Sequence, residues 1–290
     1  MVGKCPVLSI CIPTYNRLPF LQWTLAKAIQ DFPDAKIIIS DDGSEDGTSS
    51  TQLPGLYIRQ PRNLGPFVNL RAVLLAAQTK YCVYLGDDDY LLPEEVAKGI
   101  AFLEENPNIS AYYAPCQLYD EVNQQAAWGA FYVADDVTFT KPDDLWNFVI
   151  SKHVWPEHAI YRREGLEEVL QFRGRPYWCF PDLAYALRRG PVHFAKTPYY
   201  RNITQHPVGV RTKLGDQQCL TDFGDYQAGL ELMAFELFGP EMPNEAKQTI
   251  NTMIRQFIWC RLEVAARILT AQNRTAEANV LRKRMFITGF

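Results

Sequence analysis

The sequence lacks paired cysteines. Its seven cysteines (Cys5, Cys11, Cys82, Cys116, Cys179, Cys219 and Cys260) are scattered, with no Cys-x-x-Cys among them. That spacing excludes a zinc ribbon or a redox dithiol motif, and the thiols read as buried groups in a reducing compartment rather than a disulfide framework. Histidine is scarce, and His153, His158 and His193 show no ligand spacing among themselves, which argues against a zinc centre. Long apolar runs are missing: no stretch approaches the roughly 20 residues that cross a bilayer. The apolar run inside MVGKCPVLSICIPTYNR is only about seven residues long and is broken by Pro13, too short for the core of a signal peptide, so the expected location is the cytosol. Excess positive charge is lacking too. With 29 Lys and Arg against 33 Asp and Glu, the net charge of -4 excludes a general nucleic-acid binder. Internal repeats and low-complexity linkers are likewise absent. What remains is 290 residues at 47% hydrophobic content, enough for one large soluble domain, or one domain with an appendage, around a sizeable core.

The hydrophobic pattern alternates between two periods. VLSICI (Val7 to Ile12), AKIIIS (Ala35 to Ser40), YCVYL (Tyr81 to Leu85) and ISAYYAP (Ile109 to Pro115) read as strands buried on both faces. Between them, Pro19 to Phe32, Pro66 to Gln78 and Pro93 to Asn106 carry helical spacing. Strand and helix in turn predict an α/β fold with a parallel-type sheet over the first half. From Gln117 to about Lys152 the pattern loosens. A short helix is expected from Pro181 to Arg189, then strand-like VHFAK and TPYYRN, and helices from about Gln217 onward.

Two acidic clusters interrupt this pattern, SDDGS (Ser40 to Ser44) after the second strand and GDDDY (Gly86 to Tyr90) after the third. In an open α/β sheet, ligands collect at the carboxyl ends of the strands, and both clusters lie there. Adjacent carboxylates repel one another, so Asp87, Asp88 and Asp89 require either a cation or surrounding water. Solvated turns with Asp capping the next helix are the plainer reading. A hard divalent cation, Mn²⁺ or Mg²⁺, held by one or two carboxylates together with substrate phosphates, is the sharper one.

SICIPTYNR, IIISDDGSEDGTS, RNLG and YLGDDDYL, in this order and spacing, resemble an inverting family 2 glycosyltransferase of the GT-A fold, over about Leu8 to Arg201. The resemblance implies a Rossmann-like nucleotide-diphospho-sugar transferase sandwich with a C-terminal helical extension. It also implies roles position by position. Pro13 and Tyr15 would meet the nucleotide base, with the Tyr15 ring available for stacking worth roughly 1–3 kcal/mol. Arg17 and Arg62 join the donor-binding set. Asp42 would accept a hydrogen bond from the base, which suits uracil, thymine or guanine and not adenine; UDP or dTDP is the expected carrier. The family's Asp-x-Asp motif falls on Gly86-Asp87-Asp88 when aligned by the strand, or on Asp87-Asp88-Asp89 when read literally. Asp88 is assigned to the metal and Asp87 to the ribose or donor sugar, with Asp89 a second ligand or a helix cap. Asp182, in PDLAYALRRGPVHFAKTPYYR, matches the general base, although Pro181 stands where many members carry Glu. His206 is a candidate metal ligand, Arg201 and Arg211 candidate diphosphate partners, and Tyr177 and Trp178 candidate acceptor-stacking rings that serve equally as core.

The resemblance implies transfer of a sugar from a nucleotide-diphosphate donor to a saccharide or glycolipid acceptor, with inversion. Two rivals are weighed. A sugar-nucleotide nucleotidyltransferase would carry a Gly-rich basic loop where PTYNRLPF stands; a degenerate nucleotide-sugar-binding module would have lost the acidic turn. The expected organisation is a catalytic domain over 1–210, divided into a donor half (about 1–115) and an acceptor half (116–210), with a helical region over 211–290. The arginines of that region (Arg255, Arg261, Arg267, Arg274, Arg282, Arg284) would suit peripheral contact with anionic lipid at the inner membrane face. A solvated face packed on the catalytic part, or on a second copy of the chain, is favoured by the interspersed Glu263 and Glu277.

Overall fold

A computed structural model describes residues 7–127, 129, 131–171, 177–210, 220 and 223–287. In chain order its elements are β1 Leu8–Thr14, α1 Leu18–Asp31, β2 Lys36–Asp41, β3 Leu56–Arg59, α2 Pro66–Leu75, β4 Tyr81–Tyr84, β5 Tyr90–Leu91, α3 Pro93–Glu105, β6 Ala111–Tyr113, β7 Cys116–Asp120, β8 Gln125–Ala127, β9 Val137–Phe139, α4 Pro142–Ser151, β10 Ala159–Arg162, α5 Leu166–Val169, α6 Cys179–Arg189, β11 Val192–Phe194, β12 Tyr200–Gln205, α7 Phe223–Phe238, α8 Asn244–Ala271 and α9 Thr275–Ile287.

The unbroken apolar runs become strands covered on both sides. Ile10, Ile12, Ile37, Ile39 and Val83 face α1 and α3, while Cys11, Ile38 and Cys82 face α2, α4 and α6. The helices α1, α2, α3 and α4 each carry proline at the first or second position, where its fixed φ fits and its missing N–H is no loss. The main sheet has the order β3-β2-β1-β4-β10-β6-β11-β9. Strands β1 to β4 run parallel, as the alternating pattern predicts.

The sequence pattern gives no sign of β10. Its four residues show no readable period, yet it runs antiparallel between β4 and β6, with Ile160 opposite both Val83 and Tyr112. Because it runs against β4, the residues entering it, Glu157 and His158, lie beside the carboxyl end of β4. A second sheet, β5-β12-β7-β8, joins the end of the acidic turn to the segment after α6. The C-terminal helices share the main core: Tyr226, Leu230, Met233, Ile254, Phe257 and Leu262 belong to the same buried cluster as α2, α4 and α6. Among the described residues no helix is long and apolar enough to cross a membrane.

Candidate active site

The turns after β1 and β2 are clipped together. The Asp42 N–H donates to the Thr14 carbonyl (2.9 Å), Asn16 N–H to Ser44 Oγ (2.8 Å), Glu45 N–H to Asn16 Oδ1 (2.7 Å) and Leu18 N–H to Asp46 Oδ2 (2.8 Å). Gly43 sits at φ +79°, and a Cβ there would come within 2.8 Å of the Arg62 carbonyl carbon, so this turn admits only glycine. The Asp42 carboxylate is 2% exposed and receives the N–H groups of Leu64 (2.8 Å) and Gly65 (2.9 Å), tying RNLG to the turn. Burial raises its pKa while those two N–H groups pull it back. Each oxygen keeps acceptor capacity for a further donor. Asp41 points the other way, accepting from Ser44 N–H (2.9 Å) and the Tyr57 hydroxyl. Pro13 is half-buried, and Tyr15, 40% exposed, and Arg62 stand at the surface of these turns.

The three carboxylates of the acidic turn are nearly sealed, and each has its own surroundings. Arg17 bridges two of them, its Nη1 3.3 Å from Asp87 Oδ1 and its Nη2 paired with Asp88. Thr14 donates its hydroxyl to Asp87 Oδ2 (2.7 Å). Asp89 faces β12, accepting from the Tyr200 hydroxyl (2.8 Å), Ile203 N–H (2.8 Å) and Asn202 Nδ2 (3.3 Å). It is not a helix cap, since α3 begins after Leu92 with no side-chain cap. Gly86 donates its N–H to the same Tyr200 oxygen (2.9 Å). A Cβ at Gly86 would meet Asp89 Oδ2 at 2.9 Å and Tyr200 Oη at 3.1 Å, so the space for a side chain at this position is occupied.

Among the described residues no three His, Cys, Asp or Glu side chains converge as a closed metal centre. The donor set nevertheless suits Mn²⁺ or Mg²⁺: Asp87 and Asp88 are hard oxygen donors from one turn, and such ions are commonly held by one or two carboxylates completed by substrate phosphates. His206 packs edge-on against Phe20 (4.8 Å) and Trp23 (4.4 Å) of α1, and its Nδ1 accepts Val208 N–H at 3.2 Å. Arg201 donates to Gln117 Oε1 (2.6 Å) and the Tyr90 hydroxyl and stacks over Tyr119 at 4.2 Å. Arg211 lies outside the described residues.

Asp182 occupies the first turn of α6, which starts at Cys179, earlier than the helix expected from Pro181. It is 2% exposed, and its Oδ1 has no hydrogen-bond partner among the described residues. Burial lifts its carboxyl well above the ordinary range, opposed by the charge of Arg71 from α2.

The family profile for Glycosyl transferase family 2 matches residues 9–170. This chain belongs to glycosyl transferase family 2. It is 31% identical over 137 residues to the abequosyltransferase RfbV of Salmonella typhimurium, covering 42% of this chain and 41% of the other. It is 27% identical over 172 residues to the GalNAc(5)-diNAcBac-PP-undecaprenol beta-1,3-glucosyltransferase of Campylobacter jejuni, covering 56% and 53%. The chain thus spans about half the length, or less, of these curated relatives. Among solved structures, S. aureus TarS 1-349 superposes with a TM-score of 0.59 at 15% identity, covering 87% of this chain and 72% of that one. The mannosyltransferase PcManGT of Pyrobaculum calidifontis, solved with GDP-Man and Mn²⁺, gives 0.55 at 14% identity, covering 99% and 89%. At these identities the likeness speaks to the fold, which is GT-A.

The fold of this family member also sets the surroundings of Tyr177 and Trp178, the two rings singled out in the sequence, and brings Glu157 and His158, which no motif announced, beside them. Tyr177 is buried and donates its hydroxyl to Glu157, and Trp178, half-buried, meets Tyr84 edge-on at 6.4 Å. His158 stacks on Tyr200 at 3.7 Å and on Tyr84 at 6.1 Å. Burial lowers its pKa to about 3, so the ring is neutral at ordinary pH. Only the adjacency of β10 to β4, which has no sequence signature, brings Glu157 and His158 here.

Proposed function

We propose that this glycosyltransferase moves a sugar from a UDP- or dTDP-sugar to an acceptor hydroxyl with inversion at the anomeric carbon, in the assembly of a polysaccharide or glycolipid. The observation that carries the reading is the set of clipped turns at the ends of β1, β2 and β4, which gathers Asp42, Asp87 and Asp88 with the exposed ring of Tyr15. Tyr15 and Pro13 bound the base, Asp42 accepts its N–H, and Arg62 lines the same turn. Asp87 serves the ribose or donor sugar, and Asp88 with Asp87 would hold Mn²⁺ or Mg²⁺. When bound, that ion supplies Lewis-acid compensation for the charge left on the diphosphate. Arg17, about a third exposed, is the cation on hand to turn toward the diphosphate; Arg201, Arg211 and His206 are secondary candidates. Asp182 takes the acceptor hydroxyl proton as its oxygen attacks opposite the leaving group. A buried carboxylate oxygen with no hydrogen-bond partner among the described residues suits a base whose pKa must approach the working pH.

The catalytic unit is read as 1–210, completed by the helices beyond it, in a cytoplasmic protein whose C-terminal arginines leave peripheral contact with the inner membrane face as the second reading. One relative's name specifies an undecaprenol-linked saccharide acceptor, which supports a lipid-linked acceptor here. Nucleotide transfer is disfavoured by Pro13 to Phe20, which lacks the Gly-rich basic loop that chemistry would need.

Calorimetric titration of UDP, dTDP, GDP and ADP with and without Mn²⁺, on the native chain and on Asp88→Ala, tests the donor site. The expected result is tight, metal-dependent binding of one non-adenine diphosphate that the variant loses. Binding of none would end the transferase reading.

A further inference from the structure

Glu157 differs from the carboxylates proposed above for the donor, the metal and the base. Asp42, Asp87, Asp88, Asp89 and Asp182 are all nearly sealed, whereas the Glu157 side chain keeps 31% of its surface open. It is held in place all the same. Tyr177 donates its hydroxyl to Glu157 Oε1, and Oε2 lies 4.0 Å from His158 Nε2. Behind it stands Arg261 of α8, whose guanidinium lies over Trp155 (5.4 Å) and Tyr226 (5.9 Å); burial raises the Glu157 pKa, opposed by the Tyr177 hydroxyl and by the Arg261 charge.

Tyr84 links this carboxylate to the donor end. Its ring contacts His158 and Trp178, and it is the last residue of β4, two before Gly86 of the acidic turn. The antiparallel register of β10 on β4, with Ile160 opposite Val83, runs back to set Glu157 beside the start of that turn. When ionised, this carboxylate only accepts hydrogen bonds, so a ligand that reaches it must present donors. Beside it stand the half-buried rings of Tyr84 and Trp178 and the Nδ1 of His158, which has no hydrogen-bond partner among the described residues. Aromatic walls with a few fixed polar groups suit a small ligand with one apolar face and a rim of hydroxyls. That is the chemistry of a sugar ring.

The surroundings of Glu157 also say which sugar. Tyr177 and Trp178 lead directly into α6, whose first turn carries Asp182, the proposed base that takes the acceptor proton. A subsite anchored on that segment belongs with the acceptor. We infer that Glu157 is a specificity-determining residue that binds hydroxyl groups of the acceptor saccharide, in a subsite walled by Tyr84 and Trp178 and positioned by Tyr177 and Arg261. The inference rests on the donor reading above, and its test separates the two.

The experiment is saturation-transfer NMR on the full chain, saturated with Mn²⁺ and whichever nucleoside diphosphate calorimetry selects. The probes are methyl glycosides of glucose, galactose, mannose and N-acetylglucosamine. At least one glycoside should receive saturation from the native protein. Glu157→Gln keeps the shape and a hydrogen-bond acceptor for Tyr177 but removes the charge, and should weaken that glycoside about tenfold with the nucleotide affinity unchanged. Arg261→Met, which keeps the carboxylate and loosens its setting, should weaken it less. Thermal melting of both variants within a few degrees of the native protein keeps the comparison free of unfolding. Unaltered glycoside binding in Glu157→Gln, or nucleotide binding with no glycoside binding at all, overturns the inference. Absence of nucleotide binding in the native chain would overturn the donor reading itself.

Discussion

Asp42 and Asp182 are equally sealed, each 2% exposed, and differ in what their oxygens meet. Asp42 receives two backbone N–H groups, whereas one oxygen of Asp182 meets none among the described residues. Burial raises the pKa of both, far more so for Asp182. A carboxyl that holds its proton more tightly folded than unfolded lowers stability as pH rises from about 4 upward, because the folded state must give up a proton or bury a charge. Asp182→Asn should therefore melt higher than the native protein at neutral pH, with the gap closing as pH falls toward 4. The same variant should lose about 10²- to 10⁴-fold in turnover with nucleotide affinity intact. Melting curves across pH, set beside rates with a sugar-nucleotide donor, check both; a variant that melts lower at pH 7 would count against the buried, underpartnered carboxylate. Gly86 makes the opposite point. Restoring the carboxylate that many family members carry there, Gly86→Asp, should not add a metal ligand, because Asp89 and Tyr200 fill the space. Overpacking and a fourth adjacent charge should cost about 1–3 kcal/mol, read from the denaturation midpoint.

Among the elements, β10 and α8 decide how the site is closed. The four residues of β10 complete the centre of the main sheet and deliver Glu157 and His158 to the end of β4. The helix α8 backs them through Phe257, which contacts Trp155 at 5.4 Å and Phe180 at 5.8 Å and is 1% exposed. Phe257→Ala should cost about 3–5 kcal/mol in unfolding free energy, the usual range for a large buried ring. A loss below about 1 kcal/mol would mean that α8 is only loosely docked.

Across the whole molecule, the C-terminal helices behave as core rather than as an appendage. Tyr226, Leu230 and Met233 of α7 and Ile254, Phe257 and Leu262 of α8 join the cluster that covers one face of the main sheet. Truncation at residue 210 would strip that cover and leave Phe180, Leu183 and Trp155 facing water. The truncated chain is expected to aggregate or bind an apolar dye on expression. A soluble, cooperatively melting fragment would show instead that residues 1–210 form an independent domain.

The acidic turns proposed to bind the donor were legible in the sequence because they are local. A buried strand announces itself by a continuous apolar run, and the turn that ends it holds its carboxylates within a few residues, as in Ser40 to Ser44 and Gly86 to Tyr90. The family resemblance rests on those same short segments, and the profile match confirms the family over residues 9–170. Other features depend on side chains far apart in the chain. That Asp89 belongs to β12, that Arg17 lies across Asp87 and Asp88, and that Gly86 has no room for a side chain all follow from strand and loop neighbours. That Glu157 stands open beside Tyr84 follows from an antiparallel insertion too short to show a period. The sequence by itself determined the alternating framework and the acidic turns, since each is written within one stretch of chain. Only the tertiary structure decided which carboxylates are sealed and which stay open, because burial is set by contacts between segments that sequence spacing does not record.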